Sequence, residues 1–125
     1  NSGVPCGAEY NVCAKNTRKL SGPDMIILHY TAGVSAQSLP RYLARPDVKA
    51  SAHLVIGRLG KIIQLVSFDV EAWHAGQSSY AGRTCLNRFS IGIELDNLGR
   101  LAWTAGRFVA ECGREVELEQ VFVDV

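Results

Sequence analysis

Met25-Ile26-Ile27-Leu28-His29-Tyr30 is the stretch on which the fold turns. It is short, apolar, rich in β-formers and bounded by Pro23 and Gly33, so it predicts a central strand buried on both faces. Working outward, Ser35–Arg45 carries Leu39, Tyr42 and Leu43 at helical spacing. Ser35 or Ser38 is available as a cap, Pro40 is tolerated in the first turn, and Pro46 closes the helix. Ala52–Ile56 and Lys61–Val66 flank Arg58-Leu59-Gly60, a hairpin in which the glycine supplies the positive φ. Gln77–Arg88 is polar and small, as a surface loop would be. In Phe89-Ser90-Ile91-Gly92-Ile93-Glu94-Leu95, the residues Phe89, Ile91, Ile93 and Leu95 share one face and Ser90, Gly92 and Glu94 the other.

Asn97–Gly99 turns the chain. Beyond it, Phe108, Val109, Cys112 and Val116 suit a helix face that Gly106 and Gly113 keep short. Val121–Val125 reads as a last strand, and residues 1–24, punctuated by Gly3, Pro5, Gly7, Gly22 and Pro23, as an irregular lead-in. The sum is a mixed α/β domain over residues 25–125 without internal repeats.

Composition bounds the function. The 125 residues suit one domain. Thirteen Lys and Arg against twelve Asp and Glu leave a formal charge of +1, which argues against a nucleic-acid or anionic-membrane binder. No apolar run approaches the ~20 residues of a membrane span. The start at Asn1 has no basic segment and apolar middle of a signal peptide, and a processed chain would look the same. Cys6, Cys13, Cys85 and Cys112 form no CxxC pair, so a four-thiolate zinc site is a poor fit. Cys6 and Cys13 close the shortest loop and are the pair to bridge if the compartment oxidises.

The chemistry rests on few residues. His29 ends the first strand, where rigid backbone meets solvent, and is either a hydrogen-bonded core histidine or a ligand. His53 precedes the hairpin, and His74 lies in Ala72-Trp73-His74-Ala75-Gly76. Glu94 shares a face with Ser90 and Gly92; it points to water, or into a cleft where it could take a proton from an attacking water. There is no HExxH, phosphate loop or GxSxG elbow.

Taken together, Ile26–Gly33, Ser51–Gly57, Gly60–Val66, Ala72–Gly76 and Asn87–Glu94 resemble the type 2 N-acetylmuramoyl-L-alanine amidases, the family that includes phage amidase endolysins and peptidoglycan-recognition proteins. Five blocks in the family's order cover roughly residues 25–97. The resemblance implies a mixed central β-sheet flanked by helices. It implies zinc-dependent hydrolysis of the amide between N-acetylmuramic acid and L-alanine, on intact wall or on muropeptides, which favours the cell envelope over the cytoplasm. His29 falls on the first zinc ligand and Glu94 on the catalytic carboxylate. His74, Asn87, His53 and Trp73 fall in segments lining the substrate groove.

There are two departures. Leu59 stands where the family usually has Asp in the hairpin turn. The family's two further zinc ligands follow at positions beyond Val125, so residues 25–125 are expected to be the N-terminal portion of the domain. The remainder would lie in a longer protein or on a second chain. A non-catalytic muropeptide-binding module is the alternative, and recruitment of His53 and His74 as replacement ligands is a third possibility. A single imidazole binds zinc weakly, so this chain alone is expected neither to hold zinc tightly nor to hydrolyse peptidoglycan.

Overall fold

The computed structural model describes residues 9–10, 15–33 and 35–117. Val121–Val125 and the Cys6–Cys13 pair lie outside those residues. The chain runs through β1 (Glu9–Tyr10), β2 (Met25–Tyr30), α1 (Leu39–Leu43), β3 (Leu54–Ile56) and β4 (Ile62–Gln64). It continues through β5 (Ser79–Tyr80), β6 (Arg83–Thr84), a 3-10 turn at Leu86–Arg88, β7 (Ser90–Leu95), β8 (Leu101–Thr104), β9 (Arg107–Ala110) and β10 (Glu115–Val116).

The main sheet has the order β1-β4-β3-β7-β2. It is mixed: β3 and β4 form the antiparallel hairpin, whereas β7 lies parallel to both β3 and β2. The hairpin forms as its glycines dictate. Gly57 N–H donates to the Lys61 carbonyl at 2.8 Å, and Gly60 sits at φ +86°, a conformation in which a side chain would be strained. Leu59 at the tip is fully exposed. The stretch read as an irregular lead-in is partly built into the domain, since β1 pairs with β4 and Leu20 is buried.

The structure corrects the position of β2. Among the described residues it is an edge strand, not a central one, and β7 takes the interior place. Ile26, Leu28 and Tyr30 point away from the protein with 66%, 63% and 57% of their surface exposed, while Met25, Ile27 and His29 face inward. An apolar run without alternation cannot say which of its faces is covered, and here only one is.

One side of the sheet is closed by α1. Leu39 and Leu43 pack with Val55 and Ile63 of the hairpin, joined by Leu65, Val66 and Ala72. Full burial of Val55 and Leu65 contributes about 1.5–3 kcal/mol each. The helix is shorter than the sequence suggests. Ser38 makes no capping bond because its hydroxyl pairs with that of Ser35 at 3.0 Å, and Pro46 stops continuation. Helical content among the described residues is therefore α1 and one 3-10 turn.

Two hairpins replace what the sequence offers as loop and short helix. In each, the two-residue turn is Ala-Gly with positive φ at both positions: Ala81 (51°) and Gly82 (79°) between β5 and β6, and Ala105 (51°) and Gly106 (80°) between β8 and β9. Phe108, Val109 and Val116 thus lie on strands, in a small sheet ordered β10-β9-β8.

Candidate active site

The parallel register of β2 and β7 sets His29 directly opposite Glu94. Neighbours in a parallel pair point to the same side, so both side chains emerge on the inward face of the sheet. Gly92 and Ser90 share that face one and two alternate positions back along β7, as the alternation requires. Burial raises the Glu94 carboxyl above its ordinary range, and the nearby His29 imidazole partly offsets this. A carboxylate held this way exchanges protons closer to neutrality than a solvated one.

His74 arrives from the loop between β4 and β5. Its backbone N–H and that of Ala75 both donate to Asn87 Oδ1, at 3.1 and 2.8 Å. The imidazole then lies flat on Gly92. A Cβ at that glycine would fall 2.3 Å from His74 Cγ and 2.5 Å from Cδ2, so only glycine admits the ring. His74 Nδ1 is 3.0 Å from His29 Nε2, and His74 Nε2 is 3.1 Å from Ser90 Oγ. Burial and the neighbouring imidazoles push its pKa from the ordinary 6.5 to about 4, so His74 is neutral at physiological pH.

His53, whose segment was expected to line the groove, is itself buried and braces β7. It has no exposed surface. Its Nδ1 accepts the Gly92 N–H at 3.0 Å, its Nε2 donates to the Val70 carbonyl at 2.7 Å, and its own N–H donates to the Gly92 carbonyl at 2.9 Å. Burial lowers its pKa, which keeps it neutral.

Asn87 has its carbonyl oxygen committed to the His74 loop, which leaves its amide nitrogen for a ligand. Trp73 is half-buried, held by a Ser51 hydroxyl that accepts its backbone N–H at 2.8 Å, with the Lys15 ammonium 5.8 Å from the ring centre. The structure thus brings His29, Glu94 and His74 together and assigns His53 to the interior. Ser90 and Ser51, which hold His74 and Trp73, were not singled out from sequence as contacts; the alternation that pairs Ser90 with Glu94 was the one signal available.

The donor set can be tested against zinc atom by atom. His53 uses both ring nitrogens on backbone groups, His74 uses both on Ser90 and His29, and His29 uses Nε2 on His74. His29 Nδ1 is the nitrogen of this cluster left without a partner among the described residues. Among those residues no three His, Cys, Asp or Glu side chains are grouped to hold a metal. The cluster therefore fits zinc through one atom, and substitution of His53 and His74 as ligands would dismantle the hydrogen bonds that hold β7. Cys85 and Cys112 are free thiols.

A cavity of about 820 Å³ lies at the carboxyl ends of β3 and β7, between α1 and the β3–β4 turn, and is lined by none of His29, His74 and Glu94. Asp96 stands at its edge, accepting from the Arg58 guanidinium at 3.2 Å and from the Ala36 N–H at 3.1 Å, which ties the turn and the helix to the end of β7.

Comparison with known proteins bears on the same residues. The family model described as N-acetylmuramoyl-L-alanine amidase matches residues 18–114. The 1,6-anhydro-N-acetylmuramyl-L-alanine amidase AmpD of Citrobacter freundii is 43% identical over 79 residues, covering 63% of this chain and 42% of the relative. The N-acetylmuramoyl-L-alanine amidase AmiD of Escherichia coli is 40% identical over 82 residues, covering 60% of this chain and 29% of that protein. Among solved structures, a selenomethionine AmpD crystal structure superposes with a TM-score of 0.70 at 32% identity, over 85% of this chain and 70% of that one. AmiD in complex with its substrate, anhydro-N-acetylmuramic acid-L-Ala-D-gamma-Glu-L-Lys, superposes at a TM-score of 0.55 and 35% identity, over 71% of this chain and 35% of the other. The chain spans about two fifths of the length of the AmpD relatives it matches. In the AmpD structure the unmatched part belongs to the same polypeptide, which lends no support to completion by a second chain. No helix among the described residues is long and apolar enough to cross a membrane.

Proposed function

This chain belongs to the N-acetylmuramoyl-L-alanine amidase family, and on that premise we propose that it carries the acid–base carboxylate and one zinc ligand of an enzyme that hydrolyses the amide between N-acetylmuramic acid and L-alanine. The substrate class is peptidoglycan or the muropeptides released from it. The observation that supports this is the pairing of His29 with Glu94 across β2 and β7.

His29 would hold zinc through Nδ1, with the remaining ligands supplied outside the described residues. Zinc bound there would lower the pKa of a water towards 7 and polarise the scissile carbonyl. Glu94 does the proton work. Its partly buried carboxylate takes a proton as the water oxygen bonds to the carbonyl carbon. As the carbon–nitrogen bond breaks, it returns that proton to the departing alanine amine. Trp73 and the Asn87 amide nitrogen, in the segments that hold His74, would position the sugar and the peptide.

The test uses a protein that carries this chain together with the remaining zinc ligands, given the anhydromuramyl tripeptide and zinc, followed by chromatography and mass spectrometry. Release of the intact tripeptide with a free alanine amine is expected, and it should vanish in Glu94→Gln while binding persists. Cleavage at another bond, or undiminished release by Glu94→Gln, would remove this reading. Binding without release by the wild type would instead favour the muropeptide-binding module, a reading helped by the single open ligand atom in the cluster.

A further inference from the structure

Neutral imidazole can carry its proton on either nitrogen, and the protein decides which by what it offers to the other. Here the decision starts from a backbone carbonyl. The Leu86 carbonyl, in the 3-10 turn, cannot donate, so the Ser90 hydroxyl must spend its one hydrogen on it, at 2.7 Å. Ser90 Oγ, fully buried, is then free only to accept, and the group 3.1 Å away is His74 Nε2. His74 is therefore protonated on Nε2 and bare on Nδ1. That bare nitrogen lies 3.0 Å from His29 Nε2, which must be the donor.

We propose that His74 is a positioning residue: with Ser90 it locks His29 in the Nε2–H tautomer and so makes Nδ1 the one atom through which His29 can act. The loop that carries His74 is fixed by Asn87, and the ring is fixed against Gly92, so the acceptor cannot drift. The assignment stands beside the groove-lining role expected of the His74 segment. It concerns the apo chain, and it rests on the proposed function only for what His29 Nδ1 does afterwards. A metal-binding imidazole generally needs its second nitrogen held by an outer partner in this manner.

The experiment is long-range 1H–15N correlation on the full chain, uniformly 15N-labelled and metal-free, at a pH where the imidazoles are neutral. In the wild type, His29 and His74 are each expected to show one ring nitrogen at the protonated and one at the bare extreme. In His74→Phe, the two His29 shifts should move towards each other as the tautomers interconvert. His74→Asn, whose Oδ1 can replace the lost acceptor, should restore the separation. Ser90→Ala should release His74 itself and relax His29 with it, which keeps the test open if His74→Phe does not fold. Backbone amide spectra separate these effects from misfolding. Averaged His29 shifts in the wild type, or unchanged separation in both His74→Phe and Ser90→Ala, would overturn the assignment. Neither result depends on turnover. Failure of the amidase assay with a locked His29 would defeat the proposed function and leave this one standing.

Discussion

Gly92→Ala is the most discriminating single change in this fold. Gly92 has no positive φ to relieve, so alanine meets no backbone strain and the whole effect is steric. The new Cβ would sit 2.3 Å from His74 Cγ and 2.7 Å from Nδ1. Carbon pairs rest at about 3.5–4.0 Å, so the overlap exceeds 1 Å and the ring or the strand must yield. The strand is held on both sides, by β2 and β3, and by His53 through two bonds to Gly92 itself. The ring yields instead. Overpacking of this kind costs about 1–3 kcal/mol, and expelling the ring gives up two side-chain hydrogen bonds worth about 1 kcal/mol each. Replacing a glycine returns about 0.4–1 kcal/mol through the unfolded chain. The net expectation is a loss of about 2–4 kcal/mol, or roughly 10–20 °C in melting temperature. Urea and thermal unfolding followed by circular dichroism would measure it. Gly57→Ala is the control, because its Cβ would meet only ordinary contacts at 3.6–3.9 Å and should move stability by about 0.5 kcal/mol or less. In a His74→Ala background the Gly92→Ala cost should nearly disappear. A cost below about 0.5 kcal/mol in the wild type, or one undiminished without His74, refutes the steric account.

In a protein that also carries the remaining zinc ligands, Glu94→Gln should lower turnover of the anhydromuramyl tripeptide by about 10²–10⁴-fold while calorimetry finds its affinity for that peptide little changed. Stability should depend on pH through His74. Its proton is bound by the unfolded chain near 6.5 and by the folded chain only near 4, so stability is lost as pH falls through that window. The full gap corresponds to about 3 kcal/mol, which solvent reaching this half-buried ring reduces to about 1–2 kcal/mol. His53 acts in the same sense and Glu94, whose folded carboxyl keeps its proton longer, in the opposite one. Comparing melting between pH 6.5 and 4 with that of His74→Gln isolates the His74 share, and superimposable profiles would contradict it. Ser51→Ala leaves the Trp73 N–H unpaired beside a buried position and should destabilise the chain by about 1–3 kcal/mol in the same melts.

The local elements that the sequence announces most clearly are those whose own residues suffice to form them. The β3–β4 turn needs only Gly60, and the two faces of β7 follow from strict alternation. The adjacency of His29 and Glu94 was anticipated because each falls at the end of a strand in a recognisable block. The edge position of β2 was not legible, since strand order depends on pairing partners distant in sequence and an unbroken apolar run hides its exposed side. The two Ala-Gly hairpins were missed for a local reason. Alanine seldom adopts positive φ, and the Asn-Gly and Asp-Gly pairs that usually mark such turns are absent. The burial of His53 was not legible either, because residue type does not tell a brace from a ligand: here the imidazole and its own N–H close two bonds to one glycine. The tautomer order through Leu86, Ser90 and His74 lies beyond any sequence pattern, because it needs the direction of each hydrogen.

The outward row of Ile26, Leu28 and Tyr30, on a strand whose outer side has no partner among the described residues, carries a practical corollary for anyone handling this polypeptide in isolation. Such a ribbon is a template for self-association through backbone and side chains together, so solubility should fail before the fold does. Because His29 projects to the opposite side, Ile26→Thr with Leu28→Lys offers a way to keep the material dispersed in concentrated solution while leaving the His29–Glu94 pair undisturbed.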